Sequence, residues 1–255
     1  MREGVFPARQ GFVWFVRGFA LWRSAFIPLT ASAMTMFMCI MLSMLIPVAD
    51  IFAYALLQPA LGVGLFMCCQ AVARGQRVMP GLLFRNLLKR LRSLLGLFLV
   101  RLAGDSACFF LAVLITGTNL NAITVPAQVT EATASAFVNQ LLPLLGLFFV
   151  LRIPLEMAMW FAAPLRALRG MPVGKTLFFS FVVCWRNLLP LFCFLFAYFS
   201  LAYILPSLLL SIIALVAPAL ASMLTVPVLM ALTPIFYGGF YQSARDIFGE
   251  WPEDA

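Results

Sequence analysis

The chain contains no histidine. That absence removes the imidazole base on which Ser-His-Asp and Cys-His nucleophiles depend, and the ligand most catalytic zinc sites use. Charge is also scarce: Asp, Glu, Lys and Arg make up 10% of the 255 residues, against ~25% in soluble domains. The apolar set takes 64%, more than a soluble fold of this size has interior to bury. A soluble enzyme, a disordered tail and a disulfide scaffold are therefore excluded, and the composition is that of a membrane protein. The six cysteines, Cys39, Cys68, Cys69, Cys108, Cys184 and Cys193, form no CxxC, and none falls in a candidate exterior loop. They read as small buried hydrophobes; palmitoylation or metal binding at the adjacent Cys68 and Cys69 is the minor alternative. No metal or other cofactor is expected.

Long apolar runs are what the chain has in quantity. A bilayer span needs about 20 mainly apolar residues, and such runs predict six spans, at about 25–48, 51–73, 94–116, 138–163, 188–207 and 219–242. Asp50 marks a tight turn between the first two, and the last two are separated by a turn in the stretch from Ser207 to Pro218. The first run, of about 24 residues, is too long for a signal-peptide core, and no small-x-small cleavage site follows it. The fold expected is all-α and polytopic, a single membrane domain over 1–255 built from three antiparallel hairpins. Residues 74–93 form a basic cytoplasmic loop, 117–137 an exterior loop and 244–255 a cytoplasmic tail.

The orientation comes from the basic residues. Fifteen of the 17 lie before span one (Arg2, Arg9, Arg17, Arg23), between spans two and three (Arg74, Arg77, Arg85, Lys89, Arg90, Arg92), between four and five (Arg166, Arg169, Lys175, Arg186), or in the tail (Arg245). The opposite connections carry only Asp50 and Glu131. The positive-inside rule then puts both termini in the cytoplasm. The formal charge of +8 belongs to the inner leaflet and is no nucleic-acid footprint, since the chain has no basic module outside the bilayer. Arg74, Arg77, Arg85, Lys89, Arg90 and Arg92 are the expected contacts for anionic lipid headgroups, each drawn to that surface by roughly 1 kcal/mol.

An amphipathic segment precedes each hairpin. Phe12, Phe15, Phe19 and Trp22 recur at helical spacing away from Arg9 and Arg17; Arg85, Lys89 and Arg92 share a face apart from Leu83, Leu87 and Leu91; and 172–186 places Lys175 and Arg186 on one side of a Phe-rich helix. Helices of this pattern lie in the membrane interface, unless they merely extend the spans with their arginines snorkelling. Local echoes suggest an internal repeat: Ala73-Arg74-Gly75 followed by Met79-Pro80 against Leu168-Arg169-Gly170-Met171-Pro172, and Arg85-Asn86-Leu87-Leu88 against Arg186-Asn187-Leu188-Leu189.

Two cations and two carboxylates lie within the spans. Arg101 and Asp105 are four apart in span three, Arg152 and Glu156 four apart in span four, so each pair shares a helix face. Arg101 and Glu156 each lie about seven residues, roughly 10 Å, from the cytoplasmic ends of their spans. Asp105 and Arg152 lie about eleven residues in. An antiparallel hairpin therefore sets Arg101 opposite Glu156 and Asp105 opposite Arg152. Ionisable groups at such depth are functional candidates by default, but mutual cancellation favours an orientation lock over a cargo site.

Gly11, Trp14, Gly18, Phe19 and Leu21, followed by Pro28, together with the ending Tyr241-Gln242-Ser243-Ala244-Arg245-Asp246-Ile247-Phe248, resemble a family of six-span proteobacterial inner-membrane proteins. The resemblance in layout covers nearly the whole chain. It implies a polytopic inner-membrane protein and brings no activity or catalytic residue with it. The function expected is a non-enzymatic structural or assembly role, with a basic face toward anionic lipid, a protein partner or a second copy of the chain. The rival is a small transporter or channel that uses the charges of Arg101, Asp105, Arg152 and Glu156.

Overall fold

The computed structural model describes residues 4–43, 45, 56–118 and 131–252, and every regular element among them is helical. Helix α1 spans Arg9–Ser24, α2 Phe26–Ser43 and α3 Gln58–Ala73. A 3-10 turn at Pro80–Phe84 leads into α4, Leu87–Thr116. Then come α5 (Glu131–Met159), α6 (Ala162–Arg169), α7 (Val173–Arg186), α8 (Leu188–Phe199), a π-helical turn at Ser200–Ile204, α9 (Leu205–Val216) and α10 (Pro218–Phe248). Five helical runs are long and apolar enough to cross a membrane, and α3, a shorter apolar helix of 16 residues, follows a stretch outside the described residues. The protein is an all-α polytopic membrane protein. The Asp50 turn and most of the exterior loop lie outside the described residues.

The threefold organisation is visible at the joints. One residue, Ala25, separates α1 from α2; Asn86 stands between the 3-10 turn and α4; Asn187 separates α7 from α8. The two Arg-Asn-Leu-Leu echoes therefore fall at corresponding places, each Asn starting the first helix of a hairpin. Asn187 is 2% exposed, and its Oδ1 accepts the Phe6 backbone N–H at 2.9 Å. The Arg-Gly echoes also correspond. Gly75 and Gly170, with φ of +71° and +64°, follow the last turns of α3 and α6 in the left-handed region that glycine enters without strain. The segment before the second hairpin is a short turn rather than a separate helix, its basic face continuing into the first turns of α4.

The core is built around α1. Its buried face is Gly11, Trp14, Phe15, Gly18 and Leu21, while Phe12 and Phe19 of the aromatic stripe point outward, away from the protein. The glycines set the packing distance. A Cβ on Gly18 would lie 2.4 Å from the Gly239 nitrogen, and one on Gly11 1.9 Å from the Pro190 carbonyl oxygen. Helix α1 thus lies backbone to backbone against α10 and α8, as small residues allow in membrane bundles. The residues that carry the family resemblance at the two ends of the chain meet here. Asp246 Oδ2 accepts from Trp14 Nε1 and Gln10 Nε2, each at 2.9 Å, with Arg17 Nη1 at 3.4 Å. Gly62 and Gly64 of α3 likewise serve packing, since a Cβ would meet Tyr237 Oη at 2.7 Å and the Leu83 carbonyl oxygen at 2.5 Å.

Hairpin α4–α5 is peripheral. It joins the rest through one end, where Leu94 and Leu97 pack with Ala60 and Ala162 and Arg166 Nε donates to the Ser93 carbonyl at 3.0 Å. The reversal between the last two spans comes at Ala217, at the late end of the expected stretch. Helix continues past Ser207 because the π-helical turn at Ser200–Ile204 takes up the missing N–H of Pro206.

Candidate functional site

Arg101 and Asp105 project from α4 toward Arg152 and Glu156 on α5. Arg101 Nη2 lies 2.9 Å from Glu156 Oε1, and Arg152 Nη2 lies 2.8 Å from the same oxygen. Arg152 Nε is 2.9 Å from Asp105 Oδ1, and Arg101 Nε is 3.6 Å from Asp105 Oδ2. Each cation touches both carboxylates, so the structure brings all four residues into one closed, neutral ring. The Arg152–Asp105 contact is an ion pair without hydrogen-bond alignment. Gly104 lets the helices close at this level, its absent Cβ lying 2.8 Å from Leu155 Cδ2. The side chains keep between 21% and 44% of their exposure, and Arg152 and Glu156 line a cavity of about 320 Å³ between α5 and α8. Glu156, with Arg101, also lines a second cavity of about 170 Å³ against α3 and α10.

Helix α5 is broken just beyond the ring, at Trp160–Phe161. The hydroxyl of Ser180 on α7 spans the break, donating to the Met157 carbonyl at 2.9 Å and accepting the Phe161 N–H at 3.0 Å. The freed backbone groups are thereby satisfied, as irregular backbone at membrane depth requires.

The basic loop divides. Arg77, Arg85, Lys89 and Arg92 are exposed, among the outward apolar side chains of Met79, Phe84 and Leu88. Arg90 does not belong with them. It is 2% exposed, and its guanidinium donates to the carbonyls of Ala60 at 2.9 Å, Leu83 at 2.6 Å and Arg85. It staples the 3-10 turn to α3, and its burial removes it from the headgroup contacts. Arg74 is only partly exposed, and its Nη2 donates to the Trp251 carbonyl at 2.7 Å.

Trp251 was not singled out from the sequence, yet it organises this end of the molecule. It is 2% exposed, lies edge-on to Phe66, and carries the Arg169 guanidinium 4.4 Å from its ring centroid. Gln70 Nε2 donates to the carbonyls of Trp251 and Pro252, and Arg169 Nη2 to those of Phe248 and Glu250. The arginines of both Arg-Gly echoes thus hold the segment from Phe248 to Trp251. Both basic connections and the C-terminal segment meet at one end of the bundle. Cys68 and Cys69 are wholly buried, which closes them to palmitoylation, and no metal-binding cluster occurs among the described residues.

No protein-family model and no solved structure matches the chain. A protein of Burkholderia thailandensis, named a probable inner membrane protein, is 31% identical in an alignment of 251 positions that covers 95% of this chain and 92% of that protein. At that identity over nearly the full length, with the Gly11–Gly18 and Asp246 ends packed together and apolar helices between them, the chain belongs to this family of proteobacterial inner-membrane proteins.

Proposed function

We propose that the protein is a non-enzymatic structural or assembly component of the inner membrane, with both termini cytoplasmic and a basic face that holds anionic lipid headgroups. The observation that carries this reading is the exposed set Arg77, Arg85, Lys89 and Arg92 interleaved with exposed Met79, Phe84 and Leu88. Apolar side chains that enter the bilayer edge beside cations at headgroup level suit an anionic leaflet. Helix α7 repeats the pattern, with Lys175, Phe178, Trp185 and Arg186 on its outer side. The closed ring supports a structural role for the intramembrane charges, because no net charge is left for a cargo.

Replacing Arg77, Arg85, Lys89 and Arg92 together by Gln in the full chain is expected to lower co-purified phosphatidylglycerol and cardiolipin by about tenfold or more, at roughly 1 kcal/mol per basic side chain. The loss should shrink at high salt. Unchanged anionic-lipid content, measured by mass spectrometry of the extracted lipid, would refute the reading. Reporter fusions after Arg92, Gly170 and Ala255 should report cytoplasm, and those near Asp50 and Glu131 the exterior; an exterior signal at either basic connection would overturn the orientation.

One observation favours transport as the second reading: Glu156 stands between two cavities, beside a broken helix. Solute flux in proteoliposomes separates the two, since a scaffold supports none.

A further inference from the structure

We propose that the pocket between the end of α3 and the 3-10 turn binds a terminal phosphate group, carried either by a lipid of the phosphatidic acid class or by a soluble phosphomonoester. The inference deepens the lipid reading above and rests on it for one point, that this end of the bundle lies at headgroup level. The pocket has a volume of about 90 Å³ and is lined by Gln70, Arg74 and Gln76 on one side and by Leu82 and Arg85 on the other. Polar atoms make up most of its surface, whereas the walls of the two cavities beside the charge ring are mainly apolar.

Three observations give the occupant a negative charge. Arg74 and Arg85 come from opposite ends of the connection between α3 and α4, yet both line this pocket. Arg90, 2% exposed, holds the Leu83 and Arg85 carbonyls behind the turn and has no carboxylate partner among the described residues. Its charge therefore acts at the pocket wall with little screening by water. The carbonyls that end α3 do not counter this, because those of Gln70, Ala71 and Val72 accept the backbone N–H groups of Arg74, Gly75 and Gln76. Glu250 lies 3.9 Å from Arg74 and is 71% exposed, and so exposed a pair contributes little. Arg74 also donates to the Trp251 carbonyl, and both arginines have further contacts. A guanidinium carries five N–H donors, so an anion adds to such contacts without having to replace them. Phosphate suits this set because guanidinium groups bind it in bidentate fashion. A monoester carries about −1.5 to −2 charges at neutral pH, while a diester keeps a single one. A terminal phosphate also enters head-on, whereas a diester must bring in a substituent on either side of phosphorus.

The test uses the full chain, delipidated in a neutral detergent, and native mass spectrometry with phosphatidic acid, phosphatidylglycerol and glycerol 3-phosphate as probes. The expected result is a single, saturable site for a monoester probe, held about tenfold or more tighter than phosphatidylglycerol. Gln76 is exposed, and Gln76→Glu sets a carboxylate in the pocket; it should weaken monoester binding by about tenfold with thermal unfolding unchanged. Arg74→Gln should weaken it too, but that variant also loses the Trp251 carbonyl contact, so Gln76→Glu is decisive. Changing Arg77, Lys89 and Arg92 together to Gln should leave the monoester site intact, since none of them lines it. Binding of phosphatidic acid without glycerol 3-phosphate identifies a lipid source, and the reverse a soluble one. No monoester binding, equal binding of phosphatidic acid and phosphatidylglycerol, or binding indifferent to Gln76→Glu would overturn the proposal. Loss of bulk phosphatidylglycerol and cardiolipin in the basic-face variant would then still uphold the lipid reading, so the two fail separately.

Discussion

Gly18→Ala is expected to cut the level of folded protein severely, and Gly18→Leu to abolish it. The new Cβ would sit 2.4 Å from the Gly239 nitrogen and 2.7 Å from the Ile235 carbonyl oxygen. Both are backbone atoms of α10, so no rotamer change relieves the clash and the helices must separate. Separation also pulls Trp14 from Asp246, 2.9 Å away at present. Overpacking alone costs typically 1–3 kcal/mol, and the lost hydrogen bond to a carboxylate adds about 1.5–3 kcal/mol. Gly146 is the control: it lies within α5, and a Cβ there meets nothing within 4 Å. Gly146→Ala should be neutral, or stabilising by up to ~1 kcal/mol from helix propensity. Thermal unfolding in detergent reads both variants. A Gly18→Ala protein that accumulates and melts like the wild type would show that α1 does not pack on α10 as described.

Arg101→Glu should be the most damaging single change in the charge ring. It removes the cation 2.9 Å from Glu156 and sets a third carboxylate beside Glu156 and Asp105. Removing one partner of a buried pair costs about 3–5 kcal/mol in soluble proteins, although polar contacts in membranes are often worth nearer 1 kcal/mol. Like-charge contact places the loss toward the upper figure. The fourfold variant Arg101→Glu, Asp105→Arg, Arg152→Glu, Glu156→Arg should recover much of the folded protein, because cations and carboxylates again alternate around the ring, whereas swapping Arg101 and Glu156 alone would set like charges in contact at 101 and 105 and at 152 and 156. Recovery of folding together with any cellular phenotype makes the ring structural. Recovery of folding without a transport phenotype would assign the charges to a cargo and favour the second reading. No recovery at all would contradict the ring geometry.

The ring was legible in the sequence because depth along a span is a count of residues, and two antiparallel helices with complementary charges at equal depths have one economical pairing. Five long apolar helices were legible for the same reason, since apolar length translates directly into bilayer thickness. What escaped was set by groups without a hydropathy signal. The aromatic stripe of α1 drew the eye to Phe12 and Phe19, whereas the protein-facing side is organised by Gly11 and Gly18, whose contribution is the absence of a side chain. Arg90 looks like its neighbours Lys89 and Arg92 in composition, and only the carbonyls of the 3-10 turn and of α3 reveal that it points inward. The break at Trp160–Phe161 carries no glycine, and the serine that satisfies it lies 19 residues from Phe161. Trp251 passed as part of a polar tail because its partners, Arg74, Gln70 and Arg169, come from helices distant in sequence.

The pairing of the first helix with the last has a consequence for the order of events during synthesis. Arg17 and Asp246 are separated by 229 residues. At about 5–20 residues per second, the ribosome reaches the second roughly 10–50 s after the first. Throughout that interval the glycine face of α1 has no α10 to receive it, while the hairpins between them enter the bilayer in turn. The nascent chain can therefore assemble its middle before its beginning. Any stop codon before Asp246 would leave an inserted but open bundle, with Trp14 unpaired and Gly18 uncovered.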